Sequence, residues 1–381
     1  MADPLKLFIV AGEASGDRIG GDLVTRLRAR QPVAVSGVGG PELTGLGLES
    51  LFPMDDLAVM GFADVLRRAP LLLWRLRQTA KAIIRQRPDV VVLIDSQVFS
   101  HLLAQRVRRV CPDIKLVLYV APTVWAWKPE RAAELKPLFD QLLAVLPFEP
   151  EVLTRLGGPP THYVGHPALE RVAWRDSLPE RGPLLLLPGS RKGELKRHLE
   201  MMRVAVAQLQ DHPAIDGFVL PTPASQAARV RAATANWAAP VTIVTGDARY
   251  DAFAGAVGAF ATSGTVTLEL ALAGVPMVIA YVADRQQFKR YGAIGRPPIG
   301  LPNIVAGQSV VPELLFEAGG DTAAAIASLR RLMDDAAMRR HQLDAFRDIR
   351  ALMQNGAPEA PRQDPADRVL AVAAQRLSIG T

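Results

Sequence analysis

The stretch 255-GAVGAFATSGTVTLELALAGVPMVIAYVA-283 decides the fold. It carries a single charged side chain, Glu269, and its hydropathy alone suits a transmembrane helix. Its punctuation does not. Val257 to Ala261 is a short apolar run like a buried strand. Thr262-Ser263-Gly264-Thr265 supplies a small-residue turn and an N-cap, and Val266 to Ala273 makes a short helix. Gly274 ends that helix, Pro276 blocks its continuation, and Met277 to Tyr281 reads as the next buried strand. A membrane span needs about 20 apolar residues with the backbone satisfied internally, which a Ser-Gly turn and a two-turn helix do not provide. Strand, hydroxyl-rich turn and helix N-terminus together form a ready anion site. Two readings stand level here. Ser263, Gly264 and Thr265 meet a phosphate and Glu269 accepts from ribose, or the segment is a capped helix with Glu269 exposed.

Outward from this stretch, the chain has 381 residues, enough for two or three domains. It is 49% hydrophobic and 22% charged, the balance of a globular protein with a large core. Its net charge of +6 favours anionic partners such as nucleotides or phospholipid surfaces. Aromatics are only 6% and no nucleic-acid module is present, so nucleic acid is not an expected partner. Cys111 is the single cysteine, which excludes an intrachain disulfide and a thiolate cluster and fits a reducing compartment. The start, Met1-Ala2-Asp3-Pro4, lacks a basic region and cleavage site, so no secretory signal is expected.

The first half repeats the strand–turn–helix pattern. Leu7 to Ala11 is a strand, Gly12-Glu13-Ala14-Ser15-Gly16-Asp17 a small-residue turn, and a helical stretch runs to Ala29. The turn lacks the G-x-G-x-x-G spacing, which disfavours a nicotinamide cofactor. Val33 to Val38 is a second strand ending at Gly39-Gly40-Pro41, and Met60-Gly61 lies in a loop or helix start. Val65 to Arg87 then carries seven basic residues and no acid, with Leu71, Leu72, Leu73 and Trp74 among its apolar ones. It reads as a membrane-surface helix or as a core-facing helix with a solvated basic side. Val90 to Ile94 is a continuous apolar strand, and Asp95 falls just past its C-terminus, where open parallel sheets hold ligands. Asp95 there is a general base or the cap of a helix beginning near Phe99. Trp125 and Trp127 crowd one proline-flanked loop, to pack a sugar or acyl chain or to anchor the loop. His162 and His166 are spaced i,i+4, but Gly165 and Pro167 spoil a helix, so no metal pair is expected.

Residues 171 to 183 read as a linker, after which the pattern restarts. Leu184 to Leu187 is a strand and Pro188-Gly189-Ser190-Arg191-Lys192-Gly193-Glu194 a turn with cations at a helix start. Arg191 can bridge diphosphate oxygens, or pair at the surface with Glu194. Leu301-Pro302-Asn303 follows the central stretch, a charged helix is expected near Ala323 to Met353, a linker at Gly356 to Gln363, and an amphipathic terminal helix at Pro365 to Leu377. The residues alone lead to an α/β protein of two doubly wound halves, with a cleft between them that binds a phosphorylated ligand.

The motifs together resemble bacterial lipid-A-disaccharide synthase over nearly the whole chain. The resemblance is carried by Ala11 to Asp17, Gly37 to Pro41, Met60-Gly61, Ile94-Asp95, Val124 to Trp127, Leu146 to Glu149, Val164 to Pro167, Leu187 to Arg191, Ser263 to Thr265 and Leu301 to Asn303. It implies a B-type glycosyltransferase fold of two Rossmann-like domains with an interdomain cleft. The acceptor domain would span residues 1–170 and the UDP-sugar domain 171–355, with 356–381 a linker and terminal helix returning to an N-terminal domain. It implies an inverting, metal-free and cofactor-free transfer of 2,3-diacylglucosamine from UDP-2,3-diacylglucosamine to 2,3-diacylglucosamine 1-phosphate, giving the β-1,6 disaccharide of lipid A. The enzyme would sit in the cytoplasm against the anionic inner-membrane surface, with a homodimer left open.

By position, the resemblance makes Asp95 the catalytic base. It assigns Gly12, Glu13, Ser15, Gly16, Asp17, Met60, Trp125 and Trp127 to substrate, and Gly189, Ser190, Arg191, Ser263, Gly264, Thr265 and Asn303 to UDP, while Glu269 on the UDP ribose is inferred from related folds. Two positions depart from the family pattern. Val98 stands where a second acidic residue is usual, and Lys128 where an arginine is common. The alternatives are another UDP-sugar enzyme of the same fold, of the UDP-N-acetylglucosamine epimerase type, and a non-catalytic nucleotide- or lipid-binding protein of the membrane surface.

Overall fold

The structure, a computed structural model, describes residues 3–57, 62–126 and 128–377, with the backbone alone at 62–67 and 376–377. The chain divides into two compact units, Met1–Pro167 with Asn355–Thr381, and Ala168–Gln354.

The first unit alternates strands and helices: β1 (Leu5–Ala11), α1 (Ala14–Arg28), β2 (Val33–Val38), α2 (Pro41–Gly45), α3 (Phe62–Gln86), β3 (Val90–Ile94), α4 (Gln97–Val110), β4 (Lys115–Tyr119), α5 (Arg131–Leu135), β5 (Gln141–Ala144), α6 (Glu149–Arg155) and β6 (Thr161–Tyr163). The six strands form one parallel sheet in the order β2-β1-β3-β4-β5-β6. All five residues of β3 are buried, as expected of a strand covered on both faces. Phe8, Val10, Val91, Leu93, Leu116 and Leu118 pack there with Ile83 of α3 and Leu103 and Val107 of α4.

The second unit restarts with α7 (Ala168–Arg171), β7 (Gly182–Leu187), α8 (Lys192–Leu209), β8 (Ile215–Pro221), α9 (Ala224–Thr234), β9 (Val241–Val244), α10 (Ala248–Gly255), β10 (Gly258–Ala261), α11 (Thr265–Leu272), β11 (Met277–Ala283), α12 (Arg285–Ala293), α13 (Leu301–Ala306), β12 (Glu313–Glu317), α14 (Ala323–Asp334) and α15 (Ala336–Asn355). Its parallel sheet runs β12-β11-β10-β7-β8-β9. The quoted 255–283 stretch is thus strand, turn, helix, strand. Among the described residues no helix is long and apolar enough to cross a membrane.

Three expectations are refined. The charged helix near 323–353 is two helices, because Asp335 takes a β conformation and accepts from the N–H groups of Ala337 and Met338, both at 2.9 Å, opening a new helix. The stretch 356–363 contains a short antiparallel pair, β13 (Gly356–Ala357) and β14 (Ala360–Pro361). The basic segment lies within one helix, α3. Leu76, Thr79, Ala80 and Ile83 face the core, while Leu73 and Trp74 are 50% and 55% exposed.

The terminal helix α16 (Pro365–Leu377) returns to the first unit, as expected. Ala366, Val369, Val372 and Ala373 form its buried face. Its start is tied by Arg26 and Arg30 of α1 to Asp364, at 3.3 and 3.1 Å, and by Arg30 to Asp367 at 2.6 Å. Arg368 donates to Gln141 at 2.7 Å.

Candidate active site

In a doubly wound sheet, ligands bind beyond the strand C-termini where the strand order reverses. The first sheet reverses between β1 and β3, and the second between β7 and β10. The loops at these points are Gly12–Asp17 and Asp95-Ser96 in the first unit, and Pro188–Arg191 and Thr262–Thr265 in the second. Most of the sequence-predicted residues therefore gather at two switch points.

At the first, Asp95 and Ser96 both adopt the left-handed conformation, with φ of 55° and 45°. Consecutive non-glycine residues there are strained, and such strain survives where neighbours enforce it. The Asp95 N–H bonds Tyr119 O at 3.0 Å, and the Ser100 hydroxyl donates to Asp95 O at 2.8 Å. Gln97 Nε2 donates to Val120 O at 3.2 Å, locking the corner to the loop after β4. Helix α4 begins at Gln97 with Ser96 at its N-cap and no side-chain cap, so the capping reading of Asp95 is not what holds this helix. The half-buried Asp95 carboxyl has its pKa raised by burial, opposed by the Ser96 N–H. Gly12 abuts this corner, since a Cβ on it would lie 1.9 Å from Ser96 Oγ, and Gly16 lies against Ile94. Glu13 and Ser15 are exposed on the same turn.

Asp17 is different. It is 1% exposed, and its carboxylate accepts from the N–H groups of Gly40 (2.7 Å), Glu42 (2.9 Å) and Leu43 (3.3 Å). It shapes the Gly39-Gly40-Pro41 loop and is consumed in doing so. Trp125 takes the anchoring role: its indole N–H donates to Glu149 at 3.3 Å and its ring meets Phe148 edge-on at 5.2 Å. Met60 and Trp127 lie outside the described residues. Val98, in place of the usual acid, is 67% exposed on the first turn of α4.

At the second switch point, the two loops are joined by Thr262, whose N–H and hydroxyl both bond Leu187 O, at 3.0 and 3.1 Å. Gly189 has φ of 94°, and a Cβ there would meet Glu194 Oε2 at 2.6 Å. Ser190 and Arg191 are exposed, and the Arg191 guanidinium pairs with Glu194 at 3.2 Å, as the surface reading anticipates. Ser263 is half-buried and donates to Ile299 O at 2.6 Å, while Gly264 and Thr265 are exposed at the start of α11. Gly264 has φ of 140° with nothing within 4 Å of an added Cβ, leaving open space over the backbone.

Asn303 is held inside the fold. It is 3% exposed, its Nδ2 donates to Val311 O and Glu313 Oε1, and its Oδ1 accepts from Val310 and Val311 N–H. An amide has two donors and two acceptor sites, so this side chain is saturated inside the fold. Glu269 is 8% exposed, not on the surface, and pairs with Arg249 at 3.0 Å.

Sequence reasoning missed three residues around these loops. Arg249 holds Glu269. Glu149 is a fully buried carboxyl that accepts from Trp125 and from the Val145 and Leu146 N–H groups, with its pKa pushed by burial up to about 7. His198 is buried between Pro188 O at 3.0 Å and the Val282 N–H at 2.9 Å, its pKa lowered by burial to about 4. Glu149 lies in the Leu146 to Glu149 stretch, but its burial and its Trp125 partner are not visible there, and Arg249 and His198 take Glu269 and Val282 from distant turns. Among the described residues no group of three metal-ligating side chains occurs.

This arrangement has counterparts. A family model described as lipid-A-disaccharide synthetase matches residues 7–364. The lipid-A-disaccharide synthase of Nitrobacter hamburgensis is 42% identical over 379 residues, covering 96% of this chain and 95% of the relative. That of Bradyrhizobium diazoefficiens is 42% identical over 378 residues, covering 96% of each. Among solved structures, the UDP-GlcNAc 2-epimerase from Neisseria meningitidis bound to UDP-GlcNAc superposes with a TM-score of 0.62 at 10% identity, covering 98% of this chain and 100% of that one. At that identity the likeness is one of fold, the two-sheet α/β arrangement of B-type glycosyltransferases. The family model and the relatives decide the rest: this chain belongs to the lipid-A-disaccharide synthetase family.

Proposed function

We propose that this protein is the glycosyltransferase that moves 2,3-diacylglucosamine from UDP to 2,3-diacylglucosamine 1-phosphate. The observation that carries the chemical part is Asp95, a desolvated carboxylate in a strained corner at the switch point of the first sheet. In the proposed step the acceptor 6-hydroxyl oxygen attacks the anomeric carbon of the donor. Asp95 takes the hydroxyl proton as the bond forms. The bond from the anomeric carbon to the diphosphate breaks on the opposite face, and UDP leaves with the electron pair. One base and one stabilised leaving group suffice for such an inversion. The acceptor is assigned to the exposed Glu13 and Ser15 of the turn beside this base, where Gly12 and Gly16 let the turn pack against Ser96 and Ile94.

The leaving diphosphate is assigned to the second unit. Ser190 and the exposed Arg191 present a hydroxyl and a cation, and the N-terminus of α11 at Gly264 and Thr265 presents open backbone. Glu269 is assigned to ribose. The acyl chains and the lipid surface are assigned to the first unit, where Leu73, Trp74, Val98 and Leu102 expose apolar side chains on α3 and α4. The enzyme would then work at the inner face of the cytoplasmic membrane without spanning it.

The test is a turnover assay with labelled lipid donor and acceptor. Formation of disaccharide and UDP by the wild-type chain, abolished in Asp95→Ala while UDP still binds, is the expected result. Turnover of non-acylated UDP-sugar alone, or UDP binding without product, would replace the proposal with an epimerase or a binding protein.

A further inference from the structure

We infer that Arg249 is the positioning residue that sets Glu269 against a nucleoside's ribose hydroxyls, and so makes the donor site select ribonucleotides over 2′-deoxyribonucleotides. This rests on the donor reading given above.

Glu269 sits in the second turn of α11, 8% exposed. A buried carboxylate needs a cation or N–H groups to hold it. Arg249, at the start of α10 just past β9, supplies one: its Nη2 reaches Glu269 Oε1 at 3.0 Å and Tyr250 Oη at 2.7 Å. The guanidinium also lies over the Tyr250 ring, 4.7 Å from its centroid, and Tyr250 is itself wedged edge-on against Phe253 at 5.8 Å. A planar guanidinium fixed by a carboxylate, a hydroxyl and a ring face has one orientation, and it passes that orientation to Glu269.

The position fits ribose. Arg249 and Glu269 follow β9 and β10, on the same strand-end rim as the exposed N–H groups of Gly264 and Thr265. A fixed carboxylate accepts from hydroxyls and gains nothing from a C–H in their place. A hydrogen bond to a charged group is worth enough that losing one hydroxyl changes affinity by about tenfold or more.

Calorimetric titration of the full chain with UDP and with 2′-deoxy-UDP tests this. The wild type is expected to prefer UDP by about tenfold. In Arg249→Gln that preference should fall to about twofold or less, with 2′-deoxy-UDP affinity nearly unchanged. Equal weakening of both nucleotides, or an unaltered ratio, would overturn the inference and leave Arg249 a structural residue. If Arg249→Gln does not fold, Arg249→Lys keeps the charge and loses the fork, and an unchanged ratio there overturns it as well. A wild type that binds both nucleotides equally removes the ribose role of Glu269. A wild type that binds neither removes the donor reading with it.

Discussion

Gly12 and Ser96 are built against each other, with room for no atom between them: a Cβ on Gly12 would stand 1.9 Å from the Ser96 hydroxyl oxygen. Two turns far apart in sequence, one after β1 and one after β3, thereby set the backbone on which Asp95 sits. Gly12→Ala should cost about 1–3 kcal/mol of stability, the usual penalty for overpacking, and depress turnover with it. Ser96→Ala in the same chain removes the nearest atom and leaves the Ser96 Cβ at 3.1 Å, tight but tolerable. Urea unfolding of the two single variants and the double should return a coupling of about 1–2 kcal/mol. Simple additivity would show that the two turns relax independently.

Asp95→Asn preserves shape and removes the base. Turnover should fall by about 10²–10⁴, with UDP affinity unchanged. Because burial raises the Asp95 pKa, the acid limb of kcat/KM should lie above that of an ordinary aspartate. Activity rises with pH through that limb, since only the ionised carboxylate can take the proton. The residual activity of Asp95→Asn should lack the limb. Substantial turnover with the limb intact would assign the base elsewhere.

The exposed face of α3 makes a separable prediction. Replacing Leu73 and Trp74 by Ala should weaken vesicle binding by about tenfold through lost apolar burial. Arg77→Gln and Lys81→Gln should each cost several-fold on anionic vesicles, at about 1 kcal/mol per charge, and nothing on neutral ones. Arg75 belongs to a different class. It pairs with Asp56 at 2.7 Å, lies over Phe52 and Trp74, and is 12% exposed, so Arg75→Ala should lower stability. Vesicle binding indifferent to Leu73, Trp74 and lipid charge would detach the membrane from this helix.

How far the sequence could be read follows from where each signal lives. Buried parallel strands are continuous apolar runs, so β1, β3, β7 and β10 stand out, and the Gly/Ser turns after them mark the switch points. Strand β12 was missed because Glu313-Leu-Leu-Phe-Glu317 is half-buried with a carboxylate at each end. The partners of Asn303 and Asp17 are not legible, because a motif position says nothing of what a side chain bonds. Asn303 is saturated by residues 7 to 10 positions away, and Asp17 by N–H groups more than 20 positions away. Arg249 and His198 are ordinary residues in the sequence and acquire meaning from tertiary partners, and Glu149, though part of a motif, shows its burial only in the fold.

Two of those partners give opposite pH signatures. His198 must be neutral, because Nδ1–H donates to Pro188 O while Nε2 accepts from Val282 N–H. Burial lowers its folded pKa to about 4 from 6.5. Its contribution to stability is complete above pH 6.5 and is lost as pH falls towards 4. Glu149 runs the other way. Burial raises its folded pKa to about 7 from 4.5, so its contribution is complete below pH 4.5 and is lost as pH rises towards 7. The two partly cancel in the wild type, and single variants separate them. The Tm difference between Glu149→Gln and wild type should shift in the variant's favour as pH rises from 4.5 to 7. The deficit of His198→Gln should be largest above pH 6.5 and shrink as pH falls towards 4. Because His198 bridges the loop before Gly189 to β11, its variant should also weaken UDP binding at neutral pH, while Glu149→Gln should leave UDP affinity alone. Tm differences that stay flat with pH would mean that neither group is as desolvated as its surroundings imply.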